Sequence, residues 1–252
     1  SLSVNVGLPF SAETLPRLPP DLTELTWDSQ YSQQNMLAEE DLQKLPPKLL
    51  KLKLPGNAIG ALSLTSLPPG LTDLSFCHMS DNYFHIPANS KRLVLERLNH
   101  KKLLIIPASV TDLSCSMFPI TFAIASNFPH GLTHLDLKIC DLDNMCLNNL
   151  PKTLKHLRIS KWPLNFVPSM LPVSLEIFAV QLINFRQRAL EAEDLKGLEN
   201  LPRLRTFLIL GHAIYFDEDV FAFLPPQLTR LQMPVKGLIR SLESQLPLQQ
   251  LK

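Results

Sequence analysis

Histidines, cysteines and carboxylates most often carry chemistry, and this sequence brings a few of them close together. His130 and His134 are four residues apart, a spacing that would place two imidazoles on one helix face for a metal. Here the pair straddles a proline-led turn and an alternating segment, Phe128-Pro129-His130-Gly131-Leu132-Thr133-His134-Leu135-Asp136-Leu137, so the rings do not converge. His134, Asp136 and His156 form a second combination, and two imidazoles with a carboxylate can hold zinc. That set lacks a third histidine and an evident residue to orient the rings, so no metal and no cofactor is assigned. Cys77-His78 has the types of a nucleophile and its base, but adjacent strand residues point to opposite faces. Cys115 falls on an inward strand position, Cys140 and Cys146 lie six apart, and the cysteines read as buried structural thiols. The sequence has no phosphate-cradling Gly-rich loop and no Gly-x-Ser-x-Gly elbow. The chain is read as non-enzymatic.

The elements that would position these residues come from a repeat. The decamer at Phe128 recurs as LPKTLKHLRI from Leu150, LPPGLTDLSF from Leu67 and LPPQLTRLQM from Leu224. An apolar residue precedes proline at Leu18, Leu45, Leu67, Ile86, Ile106, Phe128, Leu150, Leu171, Leu201, Leu224 and Leu246, with most intervals near 22 residues. Self-similarity at that period is the mark of a solenoid. After each proline the L-x-x-L-x-L core ends in a period-2 strand, with apolar residues inward and the others outward. Proline sits ahead of the strand, where it owes no ladder hydrogen bond. One unit cannot bury its leucines, whereas stacked units can, through a parallel sheet.

Composition agrees. The 252 residues are 45% hydrophobic but only 7% aromatic, so the core must be aliphatic. A net charge of +1 gives no clustered basic footprint for nucleic acid. No apolar run approaches the roughly 18 residues of a membrane span. Scattered cysteines and the lack of any Asn-x-Ser/Thr acceptor lean towards a reducing, cytoplasmic setting. The chain opens without Met or a signal peptide and stops part-way through a unit at 246–252, compatible with a piece of a longer protein.

Between strands the chain must return along the other side. Asn35 to Leu45 and Arg188 to Leu198 carry helix-favouring residues with apolar positions three to four apart, and short helices are expected there. Asp143 to Leu150 and Asp217 to Leu224 read as similar turns, and the shorter units from Leu67 to Phe128 as extended or 3₁₀ returns.

The L-P-x-x-L-x-x-L-x-L form resembles leucine-rich repeats over nearly the whole chain. It is similar to the proline-containing repeats of protist and giant-virus proteins, FNIP-type repeats among them, and to the repeats of secreted bacterial ubiquitin-ligase effectors. The resemblance implies an α/β solenoid: one leucine-rich-repeat horseshoe over 1–252. Residues 1–17 would be an irregular lead-in or cap, and 18–252 the repeats, the last truncated. About ten parallel strands would line a concave face, with short helices, 3₁₀ turns and extended backbone opposite. A common form of the repeat has Asn or Cys twelve residues after the anchor. Asn57 and Cys140 match, whereas Met79, Leu98, Phe118, Trp162, Ile183 and Ala213 do not, so an apolar spine is expected in place of an Asn ladder. The resemblance also implies function: a scaffold that binds a protein partner on its concave face, or the substrate-recognition part of a ubiquitin ligase.

The outward strand positions would then carry any specificity. Six residues after each anchor the row reads Glu24, Lys51, Asp73, Arg92, Asp112, His134, His156, Ile177, Phe207 and Arg230. The next reads Thr26, Lys53, Ser75, Val94, Ser114, Asp136, Arg158, Ala179, Ile209 and Gln232. The alternating charges of the first five positions suit either a cross-strand ladder or a polar partner surface. Further along, Ile177, Ala179, Phe207 and Ile209 would form an apolar patch beside His134, Asp136, His156 and Arg158, with Arg230 beyond; Leu201 to Leu210 can also be aligned one residue shorter, which would take Phe207 and Ile209 out of these rows. Such patches with polar rims mark interaction sites, provided that the insertion from Gln181 to Asn200 does not cover this one.

Overall fold

The strands stack in sequence order as parallel neighbours, and they follow from the alternation in the sequence. The computed structural model describes residues 3–6, 13–27, 37, 39–54, 67–79, 86–98, 105–117, 119–140, 142, 144–160, 166–182, 192–211 and 218–234. The chain forms two compact units, Ser1–Phe118 with Asn127–Leu132, and Pro119–Ser126 with Thr133–Lys252.

The first unit contains β1 (Ser3–Val6), β2 (Glu24–Trp27), β3 (Lys51–Leu54), β4 (Asp73–Met79), β5 (Arg92–Leu98) and β6 (Asp112–Ser116). Each pairs in parallel with the next in sequence. The second unit contains β7 (His134–Lys138), β8 (His156–Ile159), β9 (Ile177–Leu182), β10 (Thr206–Gly211) and β11 (Arg230–Gln232), again parallel and in sequence order. Within the lead-in or cap expected over 1–17, Ser3–Val6 is a strand in register with Glu24–Trp27. A 3₁₀ turn follows at Leu15–Arg17.

Strand stacking repeats one hydrogen-bond motif. The carbonyl just before most strands accepts two N–H groups of the following repeat. Thr23 O accepts from Leu50 N at 2.8 Å and Lys51 N at 3.0 Å, and Thr133 O accepts from Lys155 and His156 N, both at 2.9 Å. The turn ahead of most strands closes from the leucine N–H to the proline carbonyl, as in Leu154 N to Pro151 O at 3.0 Å. Proline thus supplies an acceptor where no donor is required.

The core is the inward half of the alternation. Leu22, Leu25 and Trp27 of one repeat, and Leu154, Leu157 and Ile159 of another, are fully buried. Strands β3 and β8 alternate between open and buried residues, as period 2 requires. Ser90 takes the leucine position of its repeat and is fully buried, with no partner for its hydroxyl among the described residues. Cys115, Cys140 and Cys146 are buried thiols, and Cys146 Sγ donates to Ile120 O at 2.9 Å.

The returns mix short helices and 3₁₀ turns. In the first unit, α1 (Glu39–Leu42) lies within the segment expected to be helical. The second unit holds α2 (Phe122–Ala125), α3 (Asn144–Asn148) and α4 (Ala192–Leu195). Its 3₁₀ turns are Pro168–Met170, Leu198–Asn200 and Glu218–Phe223. Gly197 adopts φ 105, and a Cβ there would sit 2.8 Å from the backbone nitrogen of Ser169, so this turn requires glycine. Among the described residues no helix is long and apolar enough to cross a membrane. Asn57, Phe118, Trp162, Ile183, Ala213 and the unit at 246–252 lie outside the described residues, as does the 183–191 part of the insertion.

Candidate partner-binding face

The outward residues of consecutive strands fall into rows because the strands pair in register. In the first unit the leading row is Glu24, Lys51, Asp73, Arg92 and Asp112, each the direct partner of the next. The expected charge ladder forms here in part. Lys51 Nζ lies 3.1 Å from Glu24, and Arg92 Nε lies 3.7 Å from Asp112. Asp73 instead accepts from Thr72 Oγ1 at 2.8 Å. These pairs are largely exposed, so each contributes about 0.2–1 kcal/mol and serves register more than stability. Behind the row, Thr26, Lys53 and Ser75 help to line an open groove of about 200 Å³.

In the second unit the leading row is His134, His156, Ile177, Thr206 and Arg230. The row behind it is Asp136, Arg158, Ala179, Leu208 and Gln232. His134, Asp136, His156, Arg158 and Ile177 are therefore on one face, all half-buried, and Arg230 is exposed at β11.

Phe207 and Ile209 are not on that face, which corrects their assignment from sequence. Both are fully buried, and Phe207 stacks on Phe178 with centroids 5.6 Å apart and planes 15° apart. The cause is local. In Leu201-Pro202-Arg203-Leu204 the second leucine follows the anchor by three residues, where Leu150 and Leu154 are four apart. The turn accordingly closes from Leu204 N to Leu201 O at 3.2 Å, one residue earlier than the proline carbonyl used elsewhere. The strand shifts by one position and every side chain changes face. Thr206 and Leu208, absent from the sequence reading, take the outward places. The shortened Leu-Pro-x-Leu spacing was the signal for this.

The face has its own electrostatics. The His134 and His156 rings meet edge to face with centroids 4.0 Å apart, and His134 Nδ1 is 2.8 Å from Thr133 Oγ1. Among the described residues no three or more metal-ligating side chains converge, and these two rings pack as an aromatic pair. Asp136 and Arg158 are direct strand partners but do not pair with each other. Lys138 Nζ lies 3.4 Å from Asp136, and Arg158 donates an Nη2 hydrogen bond to Gln181 Oε1 at 2.8 Å. Among the described residues, buried Asp136 Oδ1 and Arg158 Nε have no hydrogen-bond partner. At the edge of the face Lys155 Nζ lies 3.1 Å from Glu176, and this hydrogen bond holds the Glu176 carboxyl below the ordinary glutamate range.

No protein-family model matches the chain, and no curated protein sequence matches it either. Solved structures similar to the chain include two leucine-rich-repeat proteins. One is LegL7, a leucine-rich-repeat-containing protein from Legionella pneumophila, at 16% identity and TM-score 0.47 over 91% of this chain and 82% of that one. The other is CroV588, described as a circular leucine-rich-repeat protein, at 21% identity and TM-score 0.49 over 93% of this chain. The present chain spans 39% of the length of CroV588.

Proposed function

We propose that this chain is a non-catalytic protein-interaction scaffold, which holds a protein partner against the outward side chains of its strands. One observation carries the reading: inward and outward positions are chemically decoupled. Inward strand residues are almost all leucine, isoleucine, valine or phenylalanine, with Trp27 and Cys115 the exceptions among the described residues of β2 to β10, whereas the outward rows vary from charged through imidazole to apolar within a few strands. Repeats of this kind can change the outward residues while leaving the core intact. A more specific version, a substrate-recognition part of a ubiquitin ligase, is supported by the L-P-x-x-L-x-x-L-x-L motif alone and would make the held partner a ubiquitination substrate.

The test is a capture experiment with the full chain as bait and mass spectrometry of what it retains. Three baits are compared: the unaltered chain, a strand-face variant combining Asp73→Arg with Arg158→Glu, and Val173→Asp in the turn ahead of β9. Val173 is 64% exposed, in the proline-led turn four residues before β9 and outside the outward strand rows. Partners retained by the unaltered chain and by Val173→Asp, but lost by the strand-face variant, are the expected outcome. Partners lost only with Val173→Asp would overturn the reading.

A further inference from the structure

The second unit's strand face narrows the chemistry of the partner. Ile177, Leu208 and Leu210 are half-buried on the neighbouring strands β9 and β10, and Ala179 lies between them, directly opposite Leu208. They form an apolar strip two strands wide. An arginine flanks it on each side: Arg158 is the strand partner of Ala179 on β8, and Arg230 is the partner of Thr206 on β11.

Two further observations concern these cations. Among the described residues neither arginine pairs with a carboxylate, although Asp136 is directly opposite Arg158. Asp136 is held by Lys138 instead, and the buried Arg158 Nε–H has no acceptor among the described residues. Arginine is the side chain best shaped to take a carboxylate through two parallel N–H bonds. Among the described outward residues of β7 to β11, Lys138, Arg158 and Arg230 outnumber the lone acid Asp136. This face is cationic around an apolar centre.

We propose that the strip takes an extended acidic segment of a partner protein, with one apolar side chain flanked by Asp or Glu. The apolar side chain rests on Ile177 and Leu208, and the carboxylates meet Arg158 and Arg230. Geometry sets the spacing. From β8 to β11 is three strand intervals, about 14 Å, and the two-residue offset between the Arg158 and Arg230 rows adds about 7 Å along the strands. The two backbones are therefore about 16 Å apart, and the long arginine side chains close the last few ångströms. Four residues of extended chain cover about 13 Å, and residues i, i+2 and i+4 share one side. The expected pattern is acid-x-apolar-x-acid. This inference rests on the strand-face reading above and specifies its ligand.

The probe is a random peptide library selected against the purified full chain at low ionic strength. The expected consensus is Asp/Glu-x-apolar-x-Asp/Glu, with affinity falling as salt rises. Arg158→Glu with Arg230→Glu should weaken the selected peptide at least about tenfold and favour the same peptide carrying Lys in place of its acids. Leu208→Asp should abolish binding of both, with circular dichroism confirming that each variant is folded. Arg230→Glu alone, an exposed change at β11, gives the same direction of effect without risk to the core. A basic or uncharged consensus lost on Leu208→Asp overturns the acidic ligand but leaves the strand face as the binding surface. Peptides indifferent to all three substitutions overturn both, and failure to enrich any acidic peptide overturns the inference.

Discussion

Phe207 is where sequence and structure differ most sharply, and the difference can be measured. If Phe207 faced outward, Phe207→Ala would trim a surface ring and leave stability within about 0.5 kcal/mol. In the structure its ring is fully buried, stacked on Phe178 at 5.6 Å, and Phe178 in turn leans on Phe166 at 6.1 Å. Removing a core phenylalanine costs about 3–5 kcal/mol, since burial is lost and a cavity remains between neighbours that cannot fully close. The neighbouring Leu208 is half-buried on the opposite face, and Leu208→Ala should cost about 1 kcal/mol. Urea unfolding followed by circular dichroism separates these cases. With a denaturant slope of about 3 kcal/mol per molar, Phe207→Ala should lower the midpoint by about 1–1.7 M and Leu208→Ala by about 0.3 M. Equal midpoints, or a larger loss for Leu208→Ala, would refute the one-residue shift of β10 and the strip built on it.

Other expectations follow from single contacts. Ser90→Ala should raise stability by about 1 kcal/mol or more, because a buried hydroxyl without a partner among the described residues is removed; a fall in thermal midpoint would show that the hydroxyl is satisfied. Gly197→Ala should destabilise by at least about 1–2 kcal/mol, from the left-handed φ of 105 and a Cβ 2.8 Å from Ser169 N; an unchanged melting temperature would contradict the turn. The Glu176 carboxyl should titrate below an ordinary glutamate in an NMR pH series and return upward in Lys155→Gln. Its folded pKa is depressed, so its contribution to stability is present above the unfolded value and is lost as pH falls through the folded one. A Glu176 midpoint unmoved by Lys155→Gln would remove the pairing as its cause.

Much of the fold was legible because one physical requirement is written repeatedly. Leu22, Leu49, Leu71, Leu132 and Leu154 recur four residues after an apolar-Pro anchor, and all are fully buried. The strand register in the first unit could therefore be read by counting. β1 was not legible, since Ser3–Val6 has no Leu-Pro anchor ahead of it and is placed by pairing with β2. β10 was read one residue out of register because counting from Leu201 assumes a turn of constant length. In an apolar run such as Phe207-Leu208-Ile209-Leu210 both alternations look equally buried. The site residues divide on the same line. His134, Asp136, His156, Arg158, Ile177 and Arg230 hold their rows because their anchors are regular. What those side chains touch was not legible. Arg158 reaching Gln181, and Lys138 holding Asp136, depend on choices between neighbours that spacing does not encode.

The division of labour between the two faces of each strand is best tested by a substitution scan of β7 to β11 on the displayed full chain. Each variant is scored separately for folded display and for capture of the library-selected peptide. Inward positions such as Leu135, Leu157, Phe178 and Phe207 should fail display. Outward positions such as Arg158, Ile177, Leu208 and Arg230 should display normally and lose capture. Capture lost through the exposed residues of the returns, such as Phe122 or Met145, with the outward rows indifferent, would contradict a partner held on the strands.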